Sequence, residues 1–247
     1  MTHNPVLSLD QAQFVPHDAV AREALLAAAA EVRECYRVLV KGGLNVVGEV
    51  LRGEGTFFQM QHYPADDVYD RDSHGQYYYH AHRGGKGEHG HFHTFMRGKG
   101  MPPACVAQPY AQPSRAQWPV DAEAISHLIA VSMDAYGYPM GLFACNRWVT
   151  GETWYSASDV ISMLDGFAID HAKPSWPVNR WLTALLRLYR PQIEYLLQHR
   201  DQVIAHAQAA QPSVDVLEDR QLEITGYLPI NVDSWTALLN TSLPQSA

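Results

Sequence analysis

From residue 18 to about residue 41 the apolar side chains Val20, Leu25, Ala28, Val32, Cys35 and Leu39 fall at near-helical spacing. That period gathers them on one stripe of a long helix, and Gly42-Gly43 supplies its stop. Residues 46–61 are mixed and interrupted by glycine, and read as one or two strands. Residues 63–75 are polar and turn-rich, with Pro64, Asp66, Asp67, Asp70 and Asp72, and read as a loop. Two strands of a hairpin follow, residues 77–82 and 89–93, either side of a glycine-rich turn. Residues 98–119 hold five prolines and little periodicity, so they form a surface connection or a lid. A second hairpin is expected from residues 125–133 and 140–149. Beyond it the pattern turns helical. Ser158 is placed to cap a helix beginning at Asp159, residues 179–189 form another, and Pro191 opens a third over residues 192–208. A short strand at residues 222–228 and a last helix capped by Asp233 complete the chain. The sum is one α+β domain over residues 1–247. It has an N-terminal helix through residue 43, a central antiparallel sheet over 44–155, and a mainly helical part over 156–247.

The first hairpin carries the chemistry. Tyr77-Tyr78-Tyr79-His80-Ala81-His82 and His89-Gly90-His91-Phe92-His93 hold five of the chain's 13 histidines. They are spaced by two, as a strand requires of residues that share a face. Gly84 to Gly87 can supply a four-residue turn, because glycine adopts positive φ at little steric cost. That turn sets Arg83 opposite Glu88, His82 opposite His89, His80 opposite His91 and Tyr78 opposite His93. In this register five imidazoles and the Tyr78 phenol point one way, while Glu88 points the other way and pairs with Arg83. Facing residues bring their Cβ atoms to roughly 4.5–5.5 Å, so rings from both strands can converge. A slip of one residue on either strand would separate them.

Composition narrows the options. A formal net charge of −8 argues against a sequence-independent nucleic-acid binder, which needs a basic footprint. No apolar run reaches the length of a membrane span. The N-terminal residues lack the charged start and apolar core of a secretory signal, and Cys35, Cys105 and Cys145 form no CxxC pair or disulfide framework. The expectation is a cytoplasmic protein with reduced thiols and no nucleic-acid or membrane partner.

Neutral imidazole suits iron, copper, zinc and nickel. His80, His91 and His93 are the first-choice ligands, with His82 and His89 as further ligands or supporting groups. Tyr78 is a candidate proton donor. Arg147, read as lying in a strand, is a candidate anchor for an anionic small-molecule substrate, and Lys86 is a second. His127, Asp170-His171 and Cys145 are weaker ligand candidates, His127 and Cys145 reading chiefly as core residues. The favoured reading is a metal-dependent enzyme with a mononuclear histidine centre, leaning to non-haem iron oxidoreductase chemistry. A non-catalytic copper, nickel or zinc binder is the alternative. No Walker A, Rossmann, HExxH or GxSxG element is present.

Two resemblances bear on these readings. His89-Gly90-His91-Phe92-His93-Thr94-Phe95 is similar to the signature of histidine-triad nucleotide hydrolases and transferases, which implies a nucleophilic role for His91. Gly90 and Thr94, however, stand where that signature has aliphatic residues. The strings GEHGHFHTF at 87–95, RWVTGETW at 147–154 and PSWPVNRW at 174–181 resemble an uncharacterised bacterial domain family. That likeness implies no activity.

Overall fold

In the computed structural model, residues 5–82, 87–108 and 117–241 are described. Helix α1, Ala19–Lys41, opens where Asp18 accepts the Ala21 N–H at 2.7 Å, satisfying one of the free donors of a first turn. The expected stripe from Leu25 to Leu39 is buried; Val20 is 74% exposed and lies outside it. Gly43 takes φ 72° after the helix, a conformation that suits glycine. Residues 46–61 hold no strand. They begin with the short helix α2, Val46–Val50, which Asn45 caps through the Gly48 N–H at 2.9 Å.

Six antiparallel strands form one sheet in sequence order. They are β1 (Tyr63–Tyr69), β2 (Gly75–His80), β3 (Glu88–Arg97), β4 (Ile125–Asp134), β5 (Pro139–Cys145) and β6 (Ile224–Pro229). The polar residues 63–75 were expected as a loop, yet their first part is β1. This is an edge strand, where Asp66 and Asp67 can face water without disturbing a core. The expected strand at 140–149 ends at Cys145, and Asn146 then caps the four-residue helix α3, Arg147–Thr150, by accepting the Arg147 N–H.

The remaining helices are α4 (Ala157–Met163), α5 (Trp176–Leu188), α6 (Arg190–Ala210) and α7 (Val232–Thr241). Ser156, rather than Ser158, caps α4, because its Oγ accepts the Asp159 N–H at 3.2 Å. Asn231, rather than Asp233, caps α7 through the Ser234 N–H at 2.9 Å. No helix among the described residues is long and apolar enough to cross a membrane.

The sheet has two unlike faces. One carries Tyr77, Tyr79, Phe92, Ile129, Val131 and Leu142 into the main core with α1 and α5. Trp181 of α5 lies there, fully buried, with its ring 5.8 Å from Phe92 and 6.0 Å from Tyr36. Tyr77 also donates to Asn179 Oδ1 of α5 at 2.6 Å. The alternate residues of the same strands face the other way, and the histidines are among them.

Candidate metal centre

Strands β2 and β3 pair in the expected register at the centre of the hairpin, with His80 opposite His91 and Tyr78 opposite His93. His80 Nε2 lies 2.8 Å from His91 Nε2. Ring centroids are 5.1 Å apart for His80 and His93, and 5.0 Å apart for His91 and His93. One nitrogen from each of the three can be chosen so that all lie within 4.8 Å of one another. His91 and His93 are fully buried and His80 nearly so. These three residues could hold a transition-metal ion. A tetrahedral shell with ligands at roughly 2.0–2.1 Å sets nitrogens about 3.3 Å apart, so the His80 and His91 rings need separate only slightly. His82 stands beside them, its ring 5.0 Å from His80 and 5.1 Å from His91.

His89 and Glu88 exchange the faces expected for them. Glu88 pairs with Asp134 and Gly90 with Met133, so His89 is the extra residue of a β-bulge. The bulge turns His89 toward the core side, where its Nδ1 meets the Tyr79 hydroxyl at 2.7 Å and its ring stacks on Phe57. It also brings Glu88 to the histidine side. His91 donates from Nδ1 to Glu88 Oε1 at 2.7 Å, and Ser132 donates to Oε2 at 2.9 Å. The proton on Nδ1 leaves the Nε2 lone pair of His91 for an ion, as in carboxylate–histidine–metal arrangements. Gly90 makes the bulge possible. A Cβ there would stand 2.6 Å from both the His80 carbonyl oxygen and the Tyr79 hydroxyl. Arg83, the expected partner of Glu88, and the anchor Lys86 lie outside the described residues, as does the 109–116 part of the connection read as a lid.

A second bulge acts on His127. Ile129 pairs with Thr94 and His127 with Phe95, which leaves Leu128 as the extra residue and turns His127 onto the histidine face. Its Nε2 lies 2.9 Å from His93 Nδ1, and its Nδ1 lies 3.6 Å from Cys145 Sγ. His93, His127 and Cys145 are a second group that could hold a metal. Burial, with smaller contributions from the charges of Arg200 and His91, lowers the His127 pKa to about 3, so its imidazole is neutral near pH 7.

Aromatic side chains wall the cluster. Phe143 of β5 has its ring 5.2 Å from His91, and Tyr78 is tilted against His93 at 5.2 Å. Burial raises the Tyr78 pKa well above its ordinary value, so the phenol keeps its proton. His62 stacks on Tyr78 at 3.6 Å, a neighbour that no local pattern singles out. Arg147 heads α3 instead of lying in a strand. Its guanidinium pairs with Glu218 and lies 4.7 Å from the Trp118 ring. Asp170 and His171 sit elsewhere: Asp170 donates its backbone N–H to Asp70, and the His171 carbonyl accepts from Asn179.

The carboxylate of Glu152 is fully buried, accepting the His127 backbone N–H at 2.6 Å and the Thr150 hydroxyl at 3.0 Å. Burial raises its pKa from 4.5 to about 7, against the lowering pull of Arg200 and these hydrogen bonds. A folded value above the unfolded one means that the carboxyl's contribution is full below pH 4.5 and is lost as pH rises through 7. That displacement corresponds to about 3 kcal/mol. Urea unfolding of the wild type and of Glu152→Gln should therefore diverge with pH. The variant should gain relative stability from pH 4.5 to above 7. A constant difference across that window would refute this account of Glu152.

Glu88→Gln should keep the fold and weaken metal binding roughly 10–100-fold, the usual effect of removing a carboxylate behind a ligating histidine. Competition with a chromophoric chelator measures this, and unchanged affinity would remove Glu88 from the site.

A family model described as a domain of unknown function, DUF6969, matches residues 26–230 of the chain. No curated protein and no solved structure matches it.

Proposed function

The chain belongs to the DUF6969 family, whose description carries no activity, and from the histidine geometry we propose that it is a metal-dependent enzyme acting on a small molecule. The observation that carries this reading is the buried convergence of His80, His91 and His93, with a 2.8 Å approach between two imidazole nitrogens. An all-imidazole set accepts iron, copper or zinc. We favour iron and oxidoreductase chemistry, because three protein ligands leave positions for both a substrate and an oxidant. When bound, the ion supplies Lewis acidity or an electron.

The chain's own groups divide the remaining work. Glu88 fixes the His91 ring and its proton, and His127 meets the far nitrogen of His93. Tyr78 holds a proton beside the cluster and serves as a hydrogen-bond or proton donor to the substrate. Phe143, Phe95 and Tyr78 keep the surroundings apolar, which strengthens polar interactions inside. We assign Arg147 no substrate contact, since Glu218 and Trp118 engage it. A binder that exchanges copper, nickel or zinc at the surface fits less well, because His91 and His93 are completely buried. A histidine-triad mechanism needs His91 Nε2 open toward a phosphate, and that atom is turned to His80.

Nitric oxide binding to the protein loaded with Fe(II) under anaerobic conditions tests the enzymatic reading. Formation of the nitrosyl spectroscopic signal is the expected result, as it requires an open coordination position. Stoichiometric iron without that signal would mean a closed shell, and would replace the enzyme with a binder.

A further inference from the structure

The mononuclear reading leaves two buried donors unused. His127 and Cys145, only 3% and 1% exposed, sit immediately beyond His93 on the same face of the sheet. Three strands supply the group. His93 comes from the middle of β3, His127 from the bulge of β4, and Cys145 from the last position of β5, two residues after Phe143. Alternation along β5 gives Cys145 the face of Phe143, whose ring meets His91 and His93. One donor atom from each of His93, His127 and Cys145 can be chosen within 4.8 Å of the others. A metal ion with nitrogen ligands at about 2.0 Å and sulfur at about 2.3 Å fits within such a triangle.

We propose that His93, His127 and Cys145 form a second metal position, with two imidazoles and one thiolate for a thiophilic transition metal such as copper, adjoining the His80/His91 position through the shared ring of His93. The chemical class follows from the donors. Thiolate selects soft or borderline ions over magnesium, calcium and manganese, and a trigonal set of two histidines and one cysteine is a copper-type arrangement. Sharing follows from the ring itself. His93 Nδ1 is turned toward His127, so Nε2 is the nitrogen left for the His80/His91 side. Two ions on the opposite nitrogens of one imidazole lie on the order of 6 Å apart. On loading, the Cys145 thiol loses its proton to solvent, and the His127 ring, which meets His93 through Nε2 and Cys145 through Nδ1, turns to give the ion one nitrogen between them. The proposal rests on the metal-centre reading only for the sharing of His93, since His127 and Cys145 belong to this position alone.

The test is Co(II) titration of the full chain after metal removal by a chelator. The wild type should take up two equivalents, with a near-ultraviolet thiolate-to-cobalt band that Cys145→Ser lacks while retaining one equivalent. The His80→Ala/His91→Ala double variant should keep the thiolate band and lose the other equivalent. Wild-type uptake of one equivalent without the band would overturn the second position and leave the first intact, with His127 merely orienting His93. A band present in wild type and double variant alike, with equal metal content, would overturn the first position instead. A band that persists in Cys145→Ser would assign the sulfur to Cys35 or Cys105 and overturn the proposal. Should Cys145→Ser fail to fold by circular dichroism, X-ray absorption of the cobalt-loaded wild type decides: sulfur in the ligand shell supports the proposal, and a purely nitrogen and oxygen shell overturns it.

Discussion

His91→Ala empties the position formed by His80, His91 and His93 of its metal while leaving the fold in place. His91 is central to the cluster in three ways. It faces His80 at 2.8 Å, its ring packs beside His93, and it is the ring that Glu88 orients. Removing it takes away a ligand and leaves Glu88 without its imidazole partner. The loss of affinity should therefore exceed the roughly 10–100-fold expected from a supporting residue. Activity should vanish with the metal. Equilibrium dialysis against the wild type measures the effect, and a metal content equal to that of the wild type would remove His91 from the ligand set.

The largest loss of stability should come from the other face of the sheet. Trp181→Ala empties a fully buried site between α1, α5 and the core side of β3. Deleting a buried aromatic of this size costs about 3–5 kcal/mol, from lost transfer energy and the cavity left behind. For a chain of this length that lowers Tm by roughly 6–20 °C. Phe92 is the connection to function. Its ring packs on Trp181, while its neighbours His91 and His93 point to the opposite face. The Trp181 variant should bind metal at full stoichiometry below its own Tm, because the ligand side of the strand is unchanged. A loss below about 1 kcal/mol would mean that the site collapses around the missing ring.

Where the chain follows a simple period, the sequence was legible. The 3.6-residue stripe of α1 and the proline that begins α6 led to helices at the expected places, and a four-residue turn between alternating strands led to the observed pairing of His80 with His91. The misplaced facings of His89, Glu88 and His127 have one physical cause. A β-bulge adds a residue without leaving a compositional mark, and it reverses the facing of everything on one side of it. Two bulges did so here. One sends His89 to Tyr79 and brings Glu88 to His91, and the other rotates His127 from an expected core position onto the histidine face. Gly90, squeezed against the His80 carbonyl, was the available signal for the first. Nothing comparable marks Leu128. β1 was missed because an edge strand can carry carboxylates that a central strand cannot. His62 joins Tyr78 across a strand pair whose register no local pattern fixes, so its place depends on the tertiary fold.

Elemental analysis of the full chain purified without an affinity tag, beside the His80→Ala/His91→Ala/His93→Ala variant, tests the central claim most directly. The wild type should carry at least one equivalent of iron, copper or zinc, and the folded variant should carry none. Metal missing from both proteins, or present equally in both, would contradict a histidine-held centre on this sheet.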